Sequence, residues 1–210
     1  IGRLTRCRPP EETDSVRIDT GVAEGSEITM FYDPMIAKLI TKGQDRFAAI
    51  NAMEAALDAY YVRGINHNMS FLSALIGHQR FVDGHLTTAF IDEEYTDGFR
   101  GAPREGVVLD ALLAAGVLTH HRRVRHEGTI NGQLLHYQPT LGVEWVVNLD
   151  DASYQIAVSD VEGGFNVSLP ERLIEVRSDW RPGQRLFHGT VDSRDVIIQT
   201  DPVTGGYHMC

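Results

Sequence analysis

Between Val107 and Leu118 the chain is apolar on nearly every side, interrupted only by Asp110 and Gly116. Read as a helix, such a run has no polar face to turn to water and must be enclosed on all sides. It is too short to cross a bilayer, which takes about 20 residues. A protein wrapper is therefore required, and the sequence that follows offers one. Trp145, Val147 and Leu149 alternate with polar or smaller neighbours, as do Tyr154, Ile156 and Val158, then Phe165, Val167 and Leu169, then Ile174 and Val176. Further strands are predicted over 186–191, 196–200 and 207–210. Asp150-Asp151, Glu162-Gly163-Gly164, Arg181-Pro182-Gly183, Asp192-Ser193 and Thr204-Gly205-Gly206 punctuate them. The spacing is near the 8–12 residues of all-β sandwiches and barrels. A closed antiparallel barrel around one central helix satisfies both observations and leaves no exposed sheet edge. Trp145 and Trp180 are then expected in the barrel core.

The first half mixes strand and helix signals. Residues 3–8 alternate until Pro9-Pro10 stops them, and residues 16–20 read as a short strand. Phe31 to Lys42 reads as a longer, buried strand, yet it carries Asp33 and Lys38. Buried charges need partners or a task. Asp45 is the expected N-cap of a helix whose apolar face holds Phe47, Ile50, Met53, Leu57 and Tyr61, with Gly64 as its stop. Residues 66–77 and 87–95 suggest two more helices. Asp97 to Pro103 concentrates Gly and Pro and reads as a linker. The predicted organisation is an α+β chain of two domains, 1–101 and 102–210.

Bulk properties exclude several classes. The chain has 210 residues and a net charge of −10, which argues against nucleic acid as a partner. No apolar run has the length of a membrane span. Cys7 and Cys210 lie in no CxxC pair, so no structural metal site is expected; they read as reduced thiols of an intracellular protein. The sequons at Asn68 and Asn166 carry no meaning without secretion. Ile1 is no initiator methionine, and the chain is expected to be a piece of a longer one.

Several segments resemble biotin carboxylases, in order. Gly2-Arg3-Leu4-Thr5-Arg6 resembles the GKITRF strand of that family. Residues 16–21, VRIDTG, are similar to its VRxDSG element, and residues 31–40 to its YYDxMIxKL signature. Gly64-Ile65-Asn66-His67-Asn68 resembles its G-x-x-x-N turn, and Phe71-Leu72 the start of the next helix. Two further stretches narrow the likeness to α subunits of propionyl-CoA carboxylases: residues 87–95 with Asp97-Gly98-Phe99, and residues 142–147 with Ser178-Asp179-Trp180. The resemblance implies a small biotin carboxylase C-terminal subdomain of antiparallel sheet and helices, truncated upstream. It implies next a BT domain linking biotin carboxylation to carboxyl transfer, an antiparallel barrel of about eight strands around a central helix.

The same resemblance implies the chemistry. ATP and bicarbonate, with Mg or Mn, carboxylate a protein-bound biotin; a carboxyltransferase β subunit then converts propionyl-CoA to methylmalonyl-CoA. The chain has no glycine-rich ATP loop and no Ala-Met-Lys-Met biotin-acceptor sequence. The upstream ATP-grasp region and the downstream biotin carrier domain are thus expected partners within the same subunit. The chain alone is expected to be inactive and to serve assembly of α with β. Methylcrotonyl- or acetyl-CoA is the alternative substrate. A stand-alone barrel that binds a small ligand is the alternative from another class, although an apolar helix would fill its cavity. Bacterial cytoplasm is the favoured compartment, and the mitochondrial matrix if the source is eukaryotic.

Within the signature, the resemblance places Asp33 and Lys38 at the edge of the biotin carboxylase site as catalytic candidates and Tyr32 as a substrate-binding candidate. Against these stands a buried polar set that only fixes the strand. Arg6 and Cys7 match an edge strand that forms the dimer contact of stand-alone biotin carboxylases, with Cys7 in place of the usual aromatic. His120 to His126 is densely cationic, and adjacent His residues lack the spacing of a metal site. The connection from Val124 to Tyr137 is long, and long loops are often functional. The resemblance makes 123–137 a hook that contacts the β subunit, through Arg123, Arg125, His126, Asn131, Gln133 and Tyr137. His67, His78 and His85 are expected at the surface near helix ends or turns.

Overall fold

The computed structural model describes residues 2–29, 31, 34–101, 103–129 and 141–210. It divides into two compact units, Ile1–Pro103 and Arg104–Cys210.

The first unit is built on three two-stranded antiparallel ladders. β1 (Gly2–Arg3) pairs with β4 (Glu27–Ile28), β2 (Arg6–Arg8) with β6 (Tyr61–Arg63), and β3 (Val16–Thr20) with β5 (Ala37–Thr41). The single strand expected over 3–8 is split because the chain changes partner midway. The Leu4 N–H donates to the Ser26 carbonyl and the Thr5 N–H to the Arg63 carbonyl, both at 2.9 Å. The long buried strand expected from Phe31 begins only at Ala37. Phe31 is 86% exposed and Met35 48%, and Pro34 has no N–H to give a ladder.

Four helices follow: α1 (Arg46–Ala59), α2 (Met69–Ile76), α3 (Gln79–Val82) and α4 (Phe90–Glu94). Asp45 caps α1 as expected, its carboxylate accepting the Ala48 N–H at 2.8 Å. The helix buries Ile50, Ala56 and Leu57 and leaves Phe47 exposed. Tyr61 does not continue the helix. The chain turns extended at Tyr60, and Tyr61 and Val62 are buried as β6. The helix ends where the chain turns to pair with β2 as β6, and Gly64, the expected stop, lies one residue beyond that strand. The φ of Gly64 is +102°, and a Cβ there would stand 2.2 Å from the Arg3 carbonyl oxygen, so only glycine fits. Leu4, Ile28, Tyr60 and Val62 form the core between the ladders. Phe71, Tyr95 and Phe99 stack edge-on at 5.2–6.1 Å, tying the start of the predicted linker to α2.

The second unit opens with α5 (Gly106–Glu127). The helix runs on through the cationic stretch, so the connection expected from Val124 starts only beyond Glu127. Enclosure also begins later than expected: Val107 and Val108 are about half exposed, whereas Leu113, Ala114, Ala115 and Leu118 are fully buried. The strands are β7 (Glu144–Leu149), β8 (Ala152–Val161), β9 (Gly164–Ser168), β10 (Leu173–Ser178), β11 (Leu186–Val191), β12 (Arg194–Val203) and β13 (Gly206–Met209). Among the described residues they form one seven-stranded antiparallel sheet in sequential order, a half-barrel whose edges are β7 and β13. The turns fall where the sequence placed them. Asp192 and Ser193 both have positive φ, 48° and 66°, the conformation of a two-residue type I′ hairpin.

The inner face of the sheet and one side of α5 share a core of Ala114, Ala115, Leu118, Ile156, Val167, Ile174, Val176, Trp180 and Phe187. Trp180 is buried as expected, and Trp145 packs at the edge of this core, half-buried. Salt bridges Arg104–Asp150 and Arg172–Asp110 hold the start of the helix to the turns at one end of the sheet. At the other end the Arg122 guanidinium donates to the Trp180 carbonyl at 2.6 Å and to the Ser178 carbonyl at 2.5 Å.

Candidate functional sites

Of the residues the sequence nominates in the signature, Tyr32 and Asp33 lie outside the described residues. Lys38 is exposed on β5, in register with Asp19 of β3, whose carboxylate accepts from Arg17 at 3.0 Å. The described geometry therefore places Lys38 in an alternating charged row on the outer face of the β3–β5 ladder. The Arg6 and Cys7 edge is engaged by Glu24. Its carboxylate accepts from Arg6 at 3.0 Å and from the Cys7 backbone N–H at 3.2 Å. That donor on β2 is satisfied within the unit.

Asn131, Gln133 and Tyr137 of the predicted hook also lie outside the described residues. Arg123, Arg125 and His126 occupy the last two turns of α5 rather than a loop. Arg123 pairs with Glu127 at 2.7 Å and lies 5.8 Å from the Tyr207 ring. Arg125 reaches Asp160 on β8 at 3.1 Å. The His126 carbonyl accepts the Thr129 hydroxyl at 2.7 Å. These groups anchor the point at which the chain leaves the helix, and cations in a last helical turn also favour the helix dipole.

Sequence reasoning missed two features. In the first unit His78 is no bystander: its Nδ1 accepts the Arg80 N–H at 3.2 Å and its Nε2 lies 3.2 Å from Glu94. Arg80 bridges Glu93 and Glu94, so this cluster clips α3 to α4. In the second unit a cavity of about 470 Å³ runs along the opening between β7 and β13. Leu112, Gly116, Val117 and His120 of α5 form its floor; Trp145 and Tyr207 stand on its opposite walls. The His120 ring is 5.4 Å from Trp145 and 6.2 Å from Tyr207.

His121 packs 4.5 Å from Phe165, and its buried Nδ1 has no hydrogen-bond partner among the described residues. Burial lowers the pKa of both histidines, and Arg123 and Arg125 push His120 and His121 further the same way. Burial raises the Tyr207 phenol. The helical spacing from Leu113 through Val117 to His120 and His121 carried a signal for this face, but the sequence alone cannot show that the sheet stops beside it.

The two units match two known domain families in turn. Residues 1–93 match the biotin carboxylase C-terminal domain, and residues 112–210 match the propionyl-coenzyme A carboxylase BT domain. The chain thus joins a segment similar to the first of these domain families to a segment similar to the second. Across its full length it is 39% identical to the propionyl-CoA carboxylase alpha chain of Ruegeria pomeroyi, and over 98% of its length it is 34% identical to the mitochondrial one of Rattus norvegicus. It spans 34% and 28% of those two chains, about a third of their length. A stretch covering 43% of the chain is 43% identical to the mitochondrial methylcrotonoyl-CoA carboxylase subunit alpha of Dictyostelium discoideum. Among solved structures, it is similar to Rhizobium etli pyruvate carboxylase with the allosteric activator acetyl coenzyme-A, at TM-score 0.47 and 28% identity, over 68% of this chain and 15% of that one. The biotin carboxylase domain of Hydrogenobacter thermophilus 2-oxoglutarate carboxylase matches 44% of this chain and 20% of its own, at TM-score 0.42 and 30% identity.

Proposed function

We propose that the chain is the part of a propionyl-CoA carboxylase α subunit that completes its biotin carboxylase domain and docks it to the carboxyltransferase β subunit. The observation that carries this reading is the succession of the two domain families within one chain that is similar to propionyl-CoA carboxylase alpha chains end to end. The domains run 1–101 and 102–210. The whole enzyme uses ATP with Mg or Mn, bicarbonate and biotin to turn propionyl-CoA into methylmalonyl-CoA, in bacterial cytoplasm or the mitochondrial matrix. Lys38, with Tyr32 and Asp33, borders the biotin carboxylase site. Lys38 faces solvent on β5. The upstream ATP-grasp region and the downstream carrier domain supply the rest.

The second unit is the docking module, its seven described strands part of a barrel of about eight around α5 in the whole subunit. Its hook is the segment 123–137. Because Arg123 and Arg125 already bond within the unit, they orient the hook, and Asn131, Gln133 and Tyr137 make the contact. Calorimetry of the chain against the β subunit of a propionyl-CoA carboxylase tests this. Saturable binding at micromolar concentrations or tighter is expected, and deletion of residues 129–133 abolishes it. Unchanged affinity after the deletion would refute the hook, and turnover by the chain alone would refute its inactivity.

A further inference from the structure

A strand at the edge of a sheet offers its outward N–H and C=O groups to any other chain. In the first unit the outer edge of β3 is such a place, and its phase is fixed from both sides. The Lys42 N–H donates to the Ser15 carbonyl at 3.0 Å, so Ser15, Arg17 and Asp19 turn their backbone groups toward β5. On the far side Val16 and Thr13 exchange both bonds, at 3.0 and 3.2 Å. The Ile18 N–H points the same way and donates to the Glu12 carboxylate at 2.9 Å. Glu12 and Thr13 thus lie along the edge of β3 as a strap, and both are exposed.

The strand beneath the strap, Val16-Arg17-Ile18-Asp19-Thr20, is complementary to itself. In an antiparallel pair about a twofold axis at Ile18, that residue meets its own copy and exchanges both backbone bonds with it. Arg17 then meets the second copy's Asp19, and Asp19 the second copy's Arg17. Opposite charges directly across antiparallel strands attract, and like charges repel. Both side chains are within reach of such a partner, Arg17 being 66% and Asp19 50% exposed. β2 has no such complementarity. About Cys7, Arg6 would meet the second copy's Arg8, two cations, and the Cys7 N–H is already taken by Glu24.

We infer that the outer edge of β3 is a pairing edge for a second copy of this chain, antiparallel about Ile18, and that the strap of Glu12 and Thr13 holds it closed. The Glu12 carboxylate forms a charge-assisted bond with the very donor that the twofold pairing needs. Thr13 occupies Val16, which would otherwise bond the second copy's Thr20. Opening the strap gives up three bonds in each copy, and the pairing returns the same number. The strap prevails because its bonds form within one chain, without the loss of freedom that association costs. Weakening the strap leaves the two Arg17–Asp19 pairs to draw the copies together.

Sedimentation of the chain and its variants over a range of concentrations provides the test. The wild type is expected to remain a single copy. Glu12→Ala with Thr13→Pro removes the acceptor for Ile18 and the donor to Val16, and its mass is expected to double as concentration rises. Glu12→Ala with Thr13→Gly loosens the same strap without fixing its backbone, and is expected to pair even where the proline disturbs folding. Adding Arg17→Asp to either variant sets like charges across the twofold axis and is expected to return it to a single copy, which nonspecific aggregation would not do. Glu24→Ala, the matching change at β2, is expected to stay a single copy. Hydrogen exchange reads the edge itself: in the opened variants the Ile18 amide is expected to exchange about tenfold faster when dilute, and to slow as the mass doubles. Opened variants that stay single overturn the inference, as does a pair that survives Arg17→Asp. A wild type that pairs as readily as the opened variants, or an Ile18 amide that the strap changes leave as it was, shows that Glu12 and Thr13 do not close the edge.

Discussion

Removing the Arg122 guanidinium tests how α5 is held to the sheet. The group donates to the Trp180 carbonyl at 2.6 Å and to the Ser178 carbonyl at 2.5 Å, at the end of β10 and just beyond it. A third carbonyl, of Gly163 in the β8–β9 turn, lies at 3.5 Å and is too distant to count in full. A hydrogen bond from a charged donor is worth about 1.5–3 kcal/mol. Arg122 is partly exposed, so water replaces part of what is lost. Arg122→Ala is therefore expected to cost the second unit about 2–4 kcal/mol, the sum of two such bonds less that replacement. Arg122→Lys keeps the charge but not the fork and is expected to recover no more than about half. The assay is urea unfolding followed by Trp fluorescence, since Trp180 is buried beside the bonds in question. The midpoint falls while the slope stays the same. Arg123→Ala is the control: its partner Glu127 is four residues along an exposed helical face, and such pairs contribute about 0.3–0.5 kcal/mol. If Arg122→Ala and Arg123→Ala shift the midpoint equally, the carbonyl clasp is not what holds the helix.

Three further outcomes are expected. Gly64→Ala forces a Cβ to within 2.2 Å of the Arg3 carbonyl at a positive φ and should cost the first unit more than about 3 kcal/mol, seen as a lost or lowered thermal transition; wild-type stability would contradict the close approach. Gly116→Ala meets only ordinary contact at Met209 and should stabilise the second unit by about 0.5–1 kcal/mol through helix propensity; a destabilised protein would show the helix crowded there. The pKa values of His120 and His121 lie below the ordinary 6.5 in the folded unit, so the unfolded chain protonates first as the pH falls. Their contribution to stability is full above about pH 6.5 and is lost as the pH drops through the folded values. Replacing both with Gln should flatten that part of the urea midpoint against pH, and an unaltered slope would place the titration elsewhere.

Much of the second unit was legible in its residues. Two-residue periodicity located each strand, and Asp192-Ser193 and Gly205-Gly206 located the hairpin turns, because alternation and turn chemistry are local. The first unit was less legible for the same reason. Phe31 to Lys42 is apolar enough for a buried strand, but β5 starts at Ala37, and burial depends on what lies beside a segment. Tyr61 has the spacing of the α1 face, yet the helix ends at Ala59 and Tyr61 pairs with Arg8 as the start of β6.

The sequence by itself determined the family resemblance, the order of the two units and the strand positions of the second unit, since these depend on motifs and on short-range patterns. Tertiary structure alone decided that the cationic stretch is helix and engaged with its own unit, that Glu24 closes the Cys7 edge of β2, and that β7 and β13 are the edges of the sheet among the described residues. The Arg125–Asp160 and Glu24–Cys7 contacts and the choice of edge strands join residues distant in the chain. No periodicity records which edge meets which, because the energy that decides it comes from hydrogen bonds and buried surface formed only after the chain has folded.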